Sequence, residues 1–394
     1  MNLCIYEDLE AGSFGPLTLL RPVFALRCGI FTLAEKLALA FPEAKLHLLV
    51  RPHLEEWTRM LYPHAEVTEP SQDDTLFVNG RLCMTDDEVL HFMAASPQEV
   101  SYVAQGILFA AKVRGERVKH VVRHLREGDA DRAFEDVRLP AEVQAFLARS
   151  GADLIRWSPR QILQDSRYLF EPGVVRGTVD SGAHLVKPES AAVGESAIVR
   201  AGAKIRAGTS IGPVCRVGGE VAETVFQGYA NKQHDGFVGH SFVGEWVNLG
   251  ANTNNSDLKN TYTPVRTYRS ARDFLEKKGE DSGQLLLGLQ LGDFTKTGIS
   301  TSFTTGALVG IGCNLYGTEL MPAYVSSFVW GSSGAFQEHR IDPMVATAAR
   351  AMERRKIPLA TELDALLRRA HEESRDDREL FLDAMSNARR EPMP

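Results

Sequence analysis

The sequence predicts an α/β domain, then a parallel β-helix built from hexapeptide repeats, then a short helical tail. Three patterns lead there. Leu291, Thr297, Phe303, Val309, Leu315 and Met321 stand six residues apart, a period that belongs to neither helix nor strand. The same beat runs earlier through Val193, Val199, Ile205, Ile211 and Val217, and again at Val243 and Leu249. Before residue 172, short apolar runs alternate with amphipathic ones.

In the first part, Leu3–Tyr6, 46–50 and 75–78 read as buried strands, and 31–40 and 53–61 as helices. Asn79–Gly80 ends the third strand, and 103–113 holds a further one. Strands alternating with helices imply a parallel sheet. Residues 130–150 read as a helix stopped by Gly151, and 158–170 as a connector helix. Pro172–Gly173 breaks the pattern and sets the expected domain limits at 1–172, 173–337 and 338–394.

In the second part, each hexad forms one face of a triangular prism. Its aliphatic residue points inward, and the following small residue (Gly194, Gly212, Gly244, Gly292, Gly310) lets the chain turn the corner. Three hexads make a coil of about 18 residues that contacts only its neighbours. The polar stretch 262–284 interrupts the beat and reads as an expelled loop. In the tail, Met344, Ala348, Ala351 and Met352 make one apolar stripe and Leu363, Leu366 and Leu367 another, separated by Pro358. Arg354–Arg355–Lys356 suits the negative end of the first helix dipole and reads as solvated charge.

Composition bounds the function. The chain has 394 residues, 44% apolar, with a net charge of −7, which argues against a nucleic-acid partner. No apolar run is long enough for a membrane span, and the N-terminus turns acidic within eight residues without a basic n-region. Five scattered cysteines fit reduced thiols better than disulfides or zinc, so a cytoplasmic protein is expected.

The segments Asn231-Lys232-Gln233-His234-Asp235-Gly236-Phe237-Val238-Gly239 and Val247-Asn248-Leu249-Gly250-Ala251 resemble the GlmU-like proteins. These are related to the bifunctional N-acetylglucosamine-1-phosphate uridyltransferase and glucosamine-1-phosphate acetyltransferase. The resemblance implies a nucleotidyltransferase domain followed by a left-handed β-helix acyltransferase. It places the catalytic His on His234, with Asn248 beside it, and Asn254 and Asn255 in the polar segment that follows. The run Gly292–Gly298 is similar to the coil where related enzymes hold acetyl-CoA, which implies contacts from Ala251, Lys296 and Gly298. A homotrimer with sites between subunits is also implied, since a closed ring hides flat sheet faces.

The chemistry fits those residues. Acyl transfer to an amino sugar needs a base to take the amine proton, and imidazole suits that role near neutral pH. A backbone N–H at Gly250–Ala251 could face the oxyanion. Arg216 and Lys232 are the candidate cations for a sugar phosphate, Arg216 standing 18 residues before His234. His240, six residues after His234, belongs to the adjacent face.

The N-terminal resemblance to sugar nucleotidyltransferases is weaker. Pro16-Leu17-Thr18-Leu19-Leu20-Arg21-Pro22 is similar to the segment after their nucleotide loop, but only Gly12-Ser13-Phe14-Gly15 stands where the Gly-rich loop belongs. The metal-ligating Asp is replaced by Asn79-Gly80-Arg81. Arg21, Lys36 and Arg81 are candidate nucleotide contacts or ordinary salt-bridging residues; Glu7 and Asp8 follow the first strand and read as turn residues, replacement of the missing Mg²⁺ ligand being the alternative. The alternatives to acyl transfer are nucleotidyl transfer and a catalytically silent ligand-binding scaffold.

Overall fold

A computed structural model describes residues 1–85, 87–104, 106–135, 137, 141–169 and 174–387. The expected boundary at Pro172–Gly173 lies outside them. Two compact units are present. The first comprises Met1–Phe14, Arg21–Arg27 and Phe31–Ser150; the second comprises Gly15–Leu20, Cys28–Ile30 and Gly151–Pro394. Among the described residues, no helix is long and apolar enough to cross a membrane.

The first unit carries a six-stranded sheet in the order Lys45–Leu49, Asn2–Tyr6, Thr75–Asn79, Ile107–Val113, Val100–Ala104, Ala141–Glu142. Its first three strands are parallel, as alternation predicts. The expected single strand at 103–113 is instead an antiparallel hairpin, so the sheet is mixed. Strand Asn2–Tyr6 is central and wholly buried, which suits its near-continuous apolar run. The helix Leu33–Ala40 begins in a capping box, with Thr32 and Glu35 satisfying each other's backbone N–H groups. Gly80 is required by space, since a Cβ there would stand 2.8 Å from the Phe24 ring.

Residues 130–150 are not one helix. Only Ala130–Phe134 is helical; Ala141–Glu142 and Ala145–Leu147 are strands. Gly151 opens the next helix, Gly151–Asp165, rather than closing the last. Pro159 sits inside that helix, and a 3₁₀ turn, Ser166–Leu169, ends it.

From Val174 to Ser332 the chain winds through short strands that stack coil on coil in parallel sheets, consistent with a β-helix. One sheet runs unbroken through eight strands, from Val174–Val175 to Tyr324–Val325. Val193, Val199, Ile205, Ile211 and Val217 are each at most 1% exposed and form a single core with Leu291, Phe303, Val309, Leu315 and Met321. Each such aliphatic side chain gains roughly 1.5–3 kcal/mol on burial.

The glycines of the repeat do a different job from the one expected. Gly194 and Gly212 do not have positive φ; they let successive coils approach. A Cβ on Gly212 would meet the Gln227 carbonyl oxygen at 2.3 Å. The corners with positive φ are largely taken by other residues, among them Tyr229, His240, Trp246 and Phe294.

Coil length varies. Ala192 pairs with Ser210, eighteen residues on, but Arg216 pairs with Asn231, only fifteen on. After Asn255 the chain leaves the stack. It forms a small antiparallel ribbon, Arg266–Thr267 with Glu280–Asp281, and a helix, Ala271–Leu275, then rejoins at Gln290. The tail has three helices, Ile341–Glu353, Thr361–Glu373 and Arg375–Asn387, the third unpredicted. Both expected stripes are packed inward, except that Ala351 is only partly buried.

Candidate functional site

The parallel pairing of Asn231 with Asn248, and of Asn248 with Lys296, aligns three successive coils. The Asp235 carbonyl accepts from Asn252 N–H at 2.8 Å, and the Ala251 carbonyl from Ser300 N–H at 2.8 Å. Three residues beyond the paired Asn231, His234 therefore stands against Ala251 of the next coil, at one corner of the stack. His234 is exposed. Gly219 lies on its other side: a Cβ there would be 2.8 Å from the His234 carbonyl oxygen. Arg216 is thus three residues out of step with His234, because its coil is short.

At this corner the Gly250 N–H is committed to Thr297 Oγ1 at 3.0 Å. The Ala251 N–H has no partner among the described residues. Gly298, in the following coil, donates its N–H to Leu315, and a Cβ on it would stand 2.8 Å from that of Tyr316.

Lys232 is not a solvent-facing cation. It is 1% exposed, and its ammonium donates to the carbonyls of His234 (2.6 Å) and Asp235 (3.3 Å). Burial pulls its pKa down to about 8. Lys232 therefore shapes the His234 turn from within and offers nothing to a phosphate. Asn254 and Asn255 are also braces. Asn254 Oδ1 accepts from Phe237 N–H at 2.8 Å, and buried Asn255 accepts from Gly239 N–H at 3.0 Å. On the adjacent face, His240 Nδ1 lies 2.8 Å from Asp257 Oδ2, and its Nε2 lies 3.6 Å from a Glu223 carboxylate oxygen.

Beside the corner lies a cavity of about 250 Å³, lined by Arg216, Asn231, Gln233, Asn248, Lys296 and, from the tail, Ala351, Arg354 and Arg355, with Tyr229 and Trp246 at its wall. It gathers three predicted residues, Arg216, Asn248 and Lys296. Arg354 and Arg355, expected as solvated helix-end charges, join them. Arg355 Nη2 donates to Asn231 Oδ1 at 2.8 Å. Tyr229 stacks on Trp246 with centroids 4.4 Å apart, and Trp246 on Phe294 at 6.3 Å; all three sit at positive-φ corners.

In the first unit a cavity of about 150 Å³ opens where the strands Asn2–Tyr6 and Lys45–Leu49 end, the usual ligand crevice of such sheets. Glu7, Asp8, Arg51 and Arg126 line it; the predicted Arg21, Lys36 and Arg81 do not. Arg81 instead clamps Asp8, with Nε 2.9 and 3.1 Å from its two oxygens, while Asn79 donates to the same carboxylate at 2.7 Å. Glu7 accepts from Val23 N–H at 2.8 Å and from Arg51 Nε at 3.1 Å. Both carboxylates are held by partners within the unit, which suits turn residues better than metal ligands. Among the described residues, no group of three or more His, Cys, Asp or Glu is gathered for a metal ion.

A family model described as sugar nucleotidyl transferase matches residues 3–171. This part of the chain is a sugar nucleotidyltransferase-like domain. No curated protein matches the chain.

Proposed function

We propose that the chain is a GlmU-like transferase whose left-handed β-helix transfers an acyl group from acyl-CoA to the amine of an amino-sugar phosphate or nucleotide amino sugar. One observation carries this reading: an exposed His234 stands directly against a coil whose Ala251 N–H has no partner among the described residues. A base and an oxyanion donor are thereby brought to one corner.

In the reaction, His234 takes a proton from the acceptor amine as its nitrogen attacks the thioester carbonyl. The N–C bond forms, and negative charge on the carbonyl oxygen meets the Ala251 N–H. Collapse breaks the C–S bond, and the leaving thiolate receives the proton from His234. Asn248, exposed and three residues before Ala251, orients the acceptor. A homotrimer would let a neighbouring copy close this open corner.

The test is acceptor-dependent release of CoA thiol from acetyl-CoA, with glucosamine 1-phosphate first among the acceptors. His234→Ala should lower kcat by about 10²–10⁴-fold with the fold intact by circular dichroism. Wild-type turnover by His234→Ala, or no release with any amino-sugar phosphate or nucleotide amino sugar, would remove the reading.

Nucleotidyl transfer by the first unit is the second reading, favoured by the family match over 3–171. The occupied Asp8 and Glu7 weigh against it. Robust Mg²⁺-dependent pyrophosphate release from UTP and a sugar 1-phosphate would establish it.

A further inference from the structure

We infer that the cavity between the coil face and the tail helix is a binding site for an organic diphosphate. Four cations line it: Arg216, Lys296, Arg354 and Arg355. No carboxylate does, and none of the four has a carboxylate partner among the described residues. Arg206, Arg269, Arg368, Arg369 and Arg375 each reach an acid, whereas Arg176, Arg266, Arg340 and Arg350 have none among the described residues; what distinguishes the cavity is that four such cations line one space.

The placement is built rather than accidental. Arg216 and Lys296 stand in one vertical row with Asn231 and Asn248, fixed by strand pairing. The two tail arginines are held against that row because Met344, Val345, Ala348 and Met352 bury the helix before them. Arg355 is further anchored on Asn231. Among the described residues, the Lys296 ammonium donates a hydrogen bond to the Phe294 carbonyl, at 3.4 Å.

Like charges gathered in a half-enclosed space repel one another, and an anion removes that repulsion. Burial pulls the Lys296 pKa down to about 8. Burial and the neighbouring Arg216 and Arg354 lower that of Arg355 as well. Three guanidinium forks and one ammonium suit two adjoining phosphoryl groups better than a lone phosphate. Asn231, Gln233 and Asn248 supply further polar contacts. The flat Tyr229–Trp246 stack at the wall gives an attached ring an apolar surface. The shared chemistry occurs in nucleoside-diphosphate sugars and in coenzyme A; the cavity recognises the diphosphate in either. This inference stands on the cavity and does not need acyl transfer at the corner.

The test is calorimetric titration of the full chain with UDP-N-acetylglucosamine, with coenzyme A, and with inorganic pyrophosphate as competitor. At least one organic diphosphate should bind, pyrophosphate should displace it, and affinity should fall with salt. Arg216→Ala and Arg354→Ala should each weaken binding by about tenfold or more, the effect of losing one charge-assisted contact. Among the described residues neither guanidinium supports another side chain, so both variants should stay folded by circular dichroism. The tighter organic ligand identifies the source of the diphosphate. Absence of binding by both organic ligands at millimolar concentration overturns the proposal. So does binding that Arg216→Ala and Arg354→Ala leave unchanged, which would place the ligand elsewhere, including the nucleotidyltransferase-like unit.

Discussion

The two cavities handle charge in opposite ways. At the strand ends of the first unit, two carboxylates are closed on internal partners, Glu7 on Arg51 and Asp8 on Arg81. On the coil face, four cations share a cavity with no acid in its lining among the described residues. A pair closed within the chain has spent its electrostatic interaction on the fold. Cations left open keep theirs for a ligand, and their mutual repulsion is a standing cost of folding until one arrives. The sugar nucleotidyltransferase-like domain therefore has a strand-end crevice in which Glu7 and Asp8 are already held by arginines.

The largest expected effect breaks the closed side. Arg81 and Asp8 have side chains only 4% and 13% exposed, so removing one partner strands a buried charge. Arg81→Ala should destabilise the first unit by about 3 kcal/mol, whereas Asp8→Leu with Arg81→Met should cost much less, because both charges leave together. Arg354→Ala, on the open side, should change stability by no more than about 0.5 kcal/mol. Urea unfolding of the three variants measures the difference. An Arg81→Ala chain as stable as Arg354→Ala would erase the distinction drawn between the cavities.

A smaller effect sharpens the open side. The Lys296 pKa is held near 8 by burial, and a bound anion must raise it by favouring the charged form. Diphosphate binding should therefore take up protons around pH 8 and weaken as pH rises through that value. Below about pH 7 the uptake should vanish, since Lys296 is already charged. Calorimetry in buffers of different ionisation enthalpy reads the proton count directly. Binding without uptake at pH 8 would mean that Lys296 does not face the anion.

Much of the fold was legible because burial writes itself into spacing. The inward residues from Val193 to Met321 are readable because one side of every hexad meets the same core. The stretch 130–150 was misread because Ala141–Glu142 and Ala145–Leu147 are too short for a pattern of their own. Their existence depends on distant partners, Tyr102 and Leu82 among them. Gly151 reads locally as a helix stop, yet it opens a helix where a Cβ would meet the Gln290 side chain at 2.2 Å.

The site divides along the same line. His234, Asn248 and Ala251 belong to one continuous motif and could be read together. Lys232 lies in the same motif and was misassigned, because sequence does not tell which way a strand residue points in a coil shortened to fifteen residues. Arg354 and Arg355 looked like ordinary helix-end charges, since only tertiary packing brings them to Lys296. Tyr229, Trp246 and Asn231 were missed for the same reason.

The smallest expected effect tests whether closure, rather than the unit a residue belongs to, is what matters. His240 is a closed charge on the coil stack, in contrast to Arg216 and Lys296. Burial alone would lower its pKa, but the carboxylates of Asp257 and Glu223 more than offset that and raise it to about 9. A raised histidine pKa contributes stability that is fully present below the unfolded value, near 6.5, and is lost as pH climbs through about 9. His240→Gln should therefore lower Tm at pH 6, and the gap from wild type should close between pH 6.5 and 9. The effect should be modest, because the Glu223 side chain is 48% exposed and solvent screens its share. Scanning calorimetry of both proteins across that range gives the answer. A gap that stays constant to pH 10 would show that His240 acts by packing alone. A gap that closes would show that a charge on the coil stack, once given an acid to meet, behaves as Arg81 does and stabilises the fold instead of waiting for a ligand.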